Sequence, residues 1–352
     1  MNKSTKVEAR LQRLYTALFR AALSVRAGCL SASAVLSVSQ AAPAQPVQTI
    51  PAISSMAADI YRLSYKDMNW RGHSYRVYVA TPRPGQVRKN KTAALYILDG
   101  NAQFPLAVNA ALGRWTRLAE KGEATQTAAL PLIVGLGYPE DKAYPLKART
   151  RDYTFFAPGE AFAAGGGAAD FYDFLRSKVR PYIETQYETD PDRQILAGHS
   201  FGGLFALYVL LNHPAAFDDY VIGSPSLWWG NGSIVSDSHW SGSSAPERET
   251  DVADRNASAG RISRAAGDQK KHVMILQGEY EENPEADPNM KPERLARMQQ
   301  RRSPTDARGL DQWLRARGLD SQFALVSKSG HGGVIPVMID TAVRQALQKK
   351  RP

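Results

Sequence analysis

The stretch Gln194-Ile195-Leu196-Ala197-Gly198-His199-Ser200-Phe201-Gly202-Gly203-Leu204-Phe205-Ala206-Leu207-Tyr208 constrains the rest of the chain. It reads as a short apolar strand, a tight turn and an amphipathic helix. Inside it, Gly198-His199-Ser200-Phe201-Gly202 matches G-x-S-x-G, the pattern of a sharp strand-to-helix turn with a serine at its apex. The two glycines let the backbone reverse without a side-chain clash. Ser200 is therefore the candidate nucleophile. The backbone N–H of Phe201 is aimed at the spot where an oxyanion would form, and the helix N-terminus favours negative charge there.

Such a turn works at the carboxyl edge of a sheet, and the remaining sequence supplies one. Continuous apolar runs at 93–98, 131–136, 219–223, 272–277 and 322–326 predict strands, most of them buried on both faces. Helices are expected over 104–121, 169–187, 305–317 and from 334 to 348. Residues 61–65 and 74–79 alternate as strands do and flank a turn at Arg71-Gly72, which predicts an antiparallel hairpin at a sheet edge. Strands alternating with helices mean an α/β fold with a mostly parallel central sheet and helices on both faces. Ligands then gather at the carboxyl ends of the strands. Residues 138–156 read as a long loop, 164–168 as a flexible hinge, and 230–268, rich in Ser, Gly, Asp and Asn, as a lid or insertion.

Charge and cysteine content narrow the chemistry. The net charge is +10, but the first 44 residues hold six Lys/Arg against one Glu, so only +5 remains beyond them. The basic residues are scattered, which argues against nucleic acid as a partner and is compatible with an anionic small substrate. Residues 1–44 read as a signal peptide or export segment, with a basic start, an apolar run at 27–38 and small-x-small cleavage candidates at 39–44. A periplasmic or secreted location follows. Residues 45–60 read as a linker, and no run of apolar residues is long enough for a membrane span. The single cysteine, Cys29, allows no disulfide within the chain and no cysteine metal site. No ligand spacing calls for a metal or cofactor.

A serine hydroxyl needs a base. His331, in a glycine-rich loop after the last strand, is the candidate, because the acid and then the histidine are expected to follow the serine in the chain. The acid should follow the strand ending at Gln277, where Glu279, Glu281 and Glu282 compete; Glu281 is preferred, and a Ser-His dyad is the alternative. A second oxyanion donor is expected from the backbone at Gly100-Asn101. Tyr153, Trp228 and Trp229 are candidates for lining a substrate pocket, and Arg149 and Arg151 for bidentate contact with anionic oxygens or for pairing within their loop.

Leu98-Asp99-Gly100-Asn101-Ala102, Arg151-Asp152-Tyr153-Thr154, Ala197-Gly198-His199-Ser200-Phe201-Gly202-Gly203-Leu204, Ser224-Pro225-Ser226-Leu227-Trp228-Trp229, Gly278-Glu279-Tyr280-Glu281 and Gly330-His331 together resemble the esterase branch of the α/β-hydrolase superfamily. Within it, the likeness is to bacterial, periplasmic trilactone siderophore esterases. The resemblance implies one α/β-hydrolase domain over 61–350. It also implies Ser200 as nucleophile, His331 as base, oxyanion donors at Phe201 and Gly100-Asn101, and Arg149 or Arg151 facing catecholate oxygens. The activity implied is hydrolysis of a carboxylic ester through an acyl-enzyme, on a catecholate siderophore trilactone and in the service of iron acquisition. The branch also holds feruloyl-type and general carboxylesterases and acyltransferases. A non-catalytic protein binding an anionic ligand on the same fold is the further alternative.

Overall fold

The apolar runs assemble into one sheet of eight strands. The structure is a computed structural model and describes residues 49–83, 91–121, 130–236 and 271–348. The export segment at 1–44, and the part of the expected lid from 237 to 268, lie outside the described residues. The strands are β1 (Tyr61–Trp70), β2 (His73–Pro82), β3 (Thr92–Ile97), β4 (Leu132–Gly137), β5 (Thr189–His199), β6 (Asp219–Gly223), β7 (His272–Gly278) and β8 (Asp320–Val326). Their order is β1-β2-β4-β3-β5-β6-β7-β8. β1, β2 and β4 pair antiparallel, and every other pairing is parallel. The hairpin at the sheet edge, turning at Arg71-Gly72, is as the alternation predicts.

Each face of the sheet carries its own core. One buries Leu95, Ile97, Ile195 and Val221 against the helices Gly100–Glu120 and Val334–Leu347. The other buries Tyr96, Leu196 and Ile222 against Phe171, Phe174, Phe205 and Leu310. Central strands covered on both sides need apolar residues at every position, and so β3 and β4 are buried throughout. The order places β5 between β3 and β6, with β7 and β8 beyond. The loops that follow β3, β5, β6, β7 and β8 are thereby gathered along one edge.

Five local expectations change. Residues 55–60, within the expected linker, form the helix Ser55–Ile60; Ser54 caps it through its side chain, and its backbone N–H donates to Asn109. The helix expected from 104 begins at Gly100, because Asp99 takes a left-handed conformation (φ 53°) that turns the chain directly from β3 into the helix. The loop 138–156 contains the helix Leu146–Tyr153. That helix has no apolar stripe to advertise it and is held by long-range contacts of Arg149 and Tyr153. The glycines at 165–167 are not a hinge. A side chain on Gly165 would run into Thr154 and Trp229, and the N–H of Gly166 donates to the Thr154 carbonyl at 3.1 Å. At the start of the expected lid, Trp229–Val235 is a buried, irregular 3-10 turn.

Candidate active site

Ser200 sits at the end of β5, ahead of the helix Phe201–Asn212. Its φ of 61° and ψ of −118° belong to no ordinary region for a residue with a side chain. Surrounding bonds hold it there. Its N–H donates to Gly223 O at 2.9 Å, and its carbonyl accepts from Leu204 at 2.9 Å and Ser226 at 3.1 Å. A Cβ on Gly198 would lie 2.5 Å from the Gly202 carbonyl, so strand and helix meet at a distance only glycine permits.

Glu281 and His331 arrive from the loops after β7 and β8. Glu281 Oε2 lies 2.6 Å from His331 Nδ1. Its other oxygen, Oε1, accepts from Ser224 Oγ at 2.6 Å and from the Gly278 N–H at 3.0 Å. The carboxylate is therefore held at both ends, and Nε2 is the ring nitrogen of His331 left without a partner among the described residues. Burial works against ionisation of Glu281. The His331 hydrogen bond and charge, the Ser224 hydroxyl and the Gly278 N–H outweigh it and hold the carboxyl below its usual range. Glu279, the competing residue, instead accepts the Lys328 N–H, and Glu282 faces Arg308.

His199 lies behind this pair. Its Nε2 is 2.7 Å from the His331 carbonyl, and the two rings are 4.5 Å apart. A carbonyl can only accept, so Nε2 carries the proton. Burial first, and then the neighbouring His331, push the pKa of His199 well down, so it stays neutral.

Ser200 Oγ lies 3.2 Å from Ser226 Oγ, and no hydrogen bond joins Ser200 to His331 among the described residues. Both nevertheless line one cavity of 490 Å³, with Ser226, Trp228 and Glu281. The remaining wall comes from the helix Pro292–Gln300 and the turn after it, through Arg294, Arg297, Met298, Arg301 and Arg302.

Four residues expected at the substrate are elsewhere. Arg149 is buried and makes a bidentate ion pair with Asp99 at 2.7 and 3.0 Å. Arg151 is similarly engaged by Asp152 at 2.6 and 2.8 Å, and also lies 3.1 Å from His73 Nδ1. Tyr153 is fully buried, its hydroxyl accepting the Asp99 N–H at 3.0 Å. Trp229 is buried and donates Nε1–H to Phe155 O at 2.8 Å. Of the expected pocket residues, Trp228 alone lines the cavity.

Gly100 and Asn101 open the helix after β3, the strand beside β5. Their N–H groups, like that of Phe201, fall in a first helical turn that offers no intrahelical acceptor. The Asn101 side chain is occupied: it donates to the Tyr138 and Glu140 carbonyls at 2.9 and 2.8 Å and accepts from the Tyr138 N–H at 2.8 Å. Sequence reasoning missed the arginine wall and the roles of Ser224, Ser226 and His199. The spacing of Arg294, Arg297 and Arg301, three and then four apart along a helix and its C-cap, was the available signal.

A family model described as "Putative esterase" matches residues 69–316, more than half of the chain. The chain belongs to this esterase family. Over 314 residues the chain is 27% identical to the ferri-bacillibactin esterase BesA of Bacillus subtilis, a match that covers 86% of this chain and 94% of that one. Over 167 residues it is 38% identical to the siderophore triacetylfusarinine C esterase of Aspergillus fumigatus, covering 46% of this chain and 54% of that enzyme. The match thus spans about half the length of the fungal relative. Among solved structures, the siderophore hydrolase EstA from Aspergillus nidulans superposes with a TM-score of 0.63 at 24% identity, over 84% of this chain and 97% of that chain. At that identity the likeness speaks for the fold: an α/β-hydrolase with a mostly parallel sheet.

Proposed function

We propose that this esterase is a serine hydrolase that opens the ester backbone of a siderophore trilactone. The observation that carries the reading is the Glu281–His331 pair at 2.6 Å, lining the same cavity as a serine held at a strained turn. Ser200 Oγ turns from Ser226 toward His331 Nε2, loses its proton to that nitrogen and attacks the ester carbonyl. Glu281 holds the imidazole by Nδ1–H and stabilises the imidazolium. The Phe201 N–H, with the N–H groups at Gly100-Asn101, stabilises the oxyanion. The alkoxide leaves with the proton from His331, and water then hydrolyses the acyl-enzyme by the same route.

Two relatives whose names specify siderophore esters support the substrate class. Export by residues 1–44, to the periplasm or outside the cell, completes the proposal and rests on their basic and apolar pattern. Among the described residues no helix is long and apolar enough to cross a membrane.

The test is hydrolysis of p-nitrophenyl butyrate and of an iron-loaded catecholate trilactone by the wild type and Ser200→Ala. Turnover of both, falling by about 10⁴-fold or more in the variant, is expected. Trilactone hydrolysis that survives in Ser200→Ala, or no hydrolysis by the wild type, refutes the reading.

A further inference from the structure

The cavity that Ser200 lines carries more arginines than carboxylates of the chain neutralise. Four guanidinium groups line the cavity, from Arg294, Arg297, Arg301 and Arg302. Arg294 is neutralised by Asp287 at 3.0 Å. For Arg297, Arg301 and Arg302 no carboxylate partner occurs among the described residues. The two carboxylates that line the same cavity are already used: Glu281 holds His331, and Asp306 caps the helix Ala307–Arg315.

Placement at a helix C-terminus explains part of this, since cations there complement the helix dipole. It does not explain why three cations converge on one cavity. Nor does it explain why Arg301 stands 4.7 Å above the ring of Trp228, the aromatic residue of that wall. Partial burial, and then the charge of Arg297, shift the pKa of Arg301 downward, while its guanidinium stays charged. An incoming anion offsets the repulsion between Arg297 and Arg301. A guanidinium offers a planar fork to two oxygens of one anionic group, and the Trp228 face offers a flat apolar surface beside it.

We propose that Arg297, Arg301 and Arg302, with Trp228, form an anion subsite beside Ser200. It binds a ligand carrying two or more negative charges on paired oxygens and sets which esters reach the serine. The subsite rests on the reading of Ser200 as nucleophile only for its effect on turnover. Binding is independent of it. Arg149 and Arg151, already paired with Asp99 and Asp152, take no part.

The experiment compares kcat/KM for neutral p-nitrophenyl butyrate and for the p-nitrophenyl monoester of tricarballylic acid, which carries two free carboxylates. The proteins are the wild type and the triple variant Arg297→Gln, Arg301→Gln, Arg302→Gln. The ratio of dianionic to neutral kcat/KM is expected to fall about tenfold or more in the variant, mainly through KM, as loss of charge-assisted contacts requires. In the wild type the same ratio is expected to fall as salt is raised from about 20 to about 500 mM. A ratio unmoved by both the substitutions and the salt overturns the proposal.

If neither ester is turned over by the wild type, the hydrolase reading has failed and binding decides the subsite. Calorimetric titration with ferric tris(2,3-dihydroxybenzoate) is then run on Ser200→Ala with and without the three arginine substitutions. Binding weakened about tenfold or more by the substitutions supports the subsite. Equal binding, or none to Ser200→Ala, overturns it.

Discussion

Replacing Glu281 by Gln tests whether the acid is a working part of the site or a bystander of a Ser-His dyad. The substitution keeps the volume and removes the charge. Glu281 Oε2 and His331 Nδ1 are 2.6 Å apart, which puts the charge centres about 4 Å apart once His331 is protonated. At an effective dielectric constant of about 20, that attraction is about 4 kcal/mol. The His331 side chain is 45% exposed and Glu281 only 14%, so solvent screening on the histidine side halves the figure to about 2 kcal/mol at the lower end. In the proposed reaction the imidazolium forms as Ser200 gives up its proton, so the loss is expected to fall on kcat. A range of about 2 to 4 kcal/mol corresponds to roughly 30-fold to 1,000-fold. The assay is steady-state hydrolysis of p-nitrophenyl butyrate at pH 8, with KM expected to change little. A kcat within about threefold of the wild type would refute the argument and leave the dyad. The same substitution has a stability signature. The Glu281 pKa is lowered on folding, so its contribution is present above the usual carboxylate range and is lost as pH falls through the folded value. Melting of the wild type between pH 7 and pH 3 should therefore show an acid loss that Glu281→Gln lacks in part.

Two other substitutions separate positioning and structure from chemistry. Arg149→Ala leaves the Asp99 carboxylate, which is fully buried, without its partner. It should cost about 3–5 kcal/mol in urea unfolding and should not alter the preference between anionic and neutral esters. A change in that preference with unaltered stability would restore Arg149 to the substrate site. His199→Phe removes the donor to the His331 carbonyl and retains a ring in the space. It is expected to lower kcat about tenfold with little effect on KM, because it loosens the base and not the ligand; an unchanged kcat would show that the loop holds itself.

The parts of the site that were legible in the sequence carry local signals. Gly198 and Gly202 around Ser200 encode a sharp turn, and the strand and helix beside them are visible as a period of apolar residues. The chain order Ser200, Glu281, His331 follows from which strand each residue terminates, and the parallel order of β5 to β8 brings those ends together. Glu281 and Glu279 lie two residues apart on the same turn, so spacing alone separates them weakly. Ser224 and the Gly278 N–H decide it by gripping Oε1 and turning Oε2 to the histidine.

Arginine placement was decided only by the tertiary structure. Arg149 and Arg151 sit in a motif-rich segment near the strand ends, and as sequence they look like ligand residues. Asp99 and Asp152 capture them, because a guanidinium taken out of water needs a carboxylate, and those carboxylates are within reach. Arg297, Arg301 and Arg302 lie about a hundred residues beyond Ser200, on a short charged helix and the turn that ends it. They line its cavity together with residues of the loops after β6 and β8. The sequence by itself determined the sheet, the elbow and the candidate base, and narrowed the acid to the glutamates after Gln277, because period, turn chemistry and strand order are properties of neighbours along the chain. Which cations face the serine and which are buried in ion pairs depends on contacts between distant segments, and those exist only once the chain is folded.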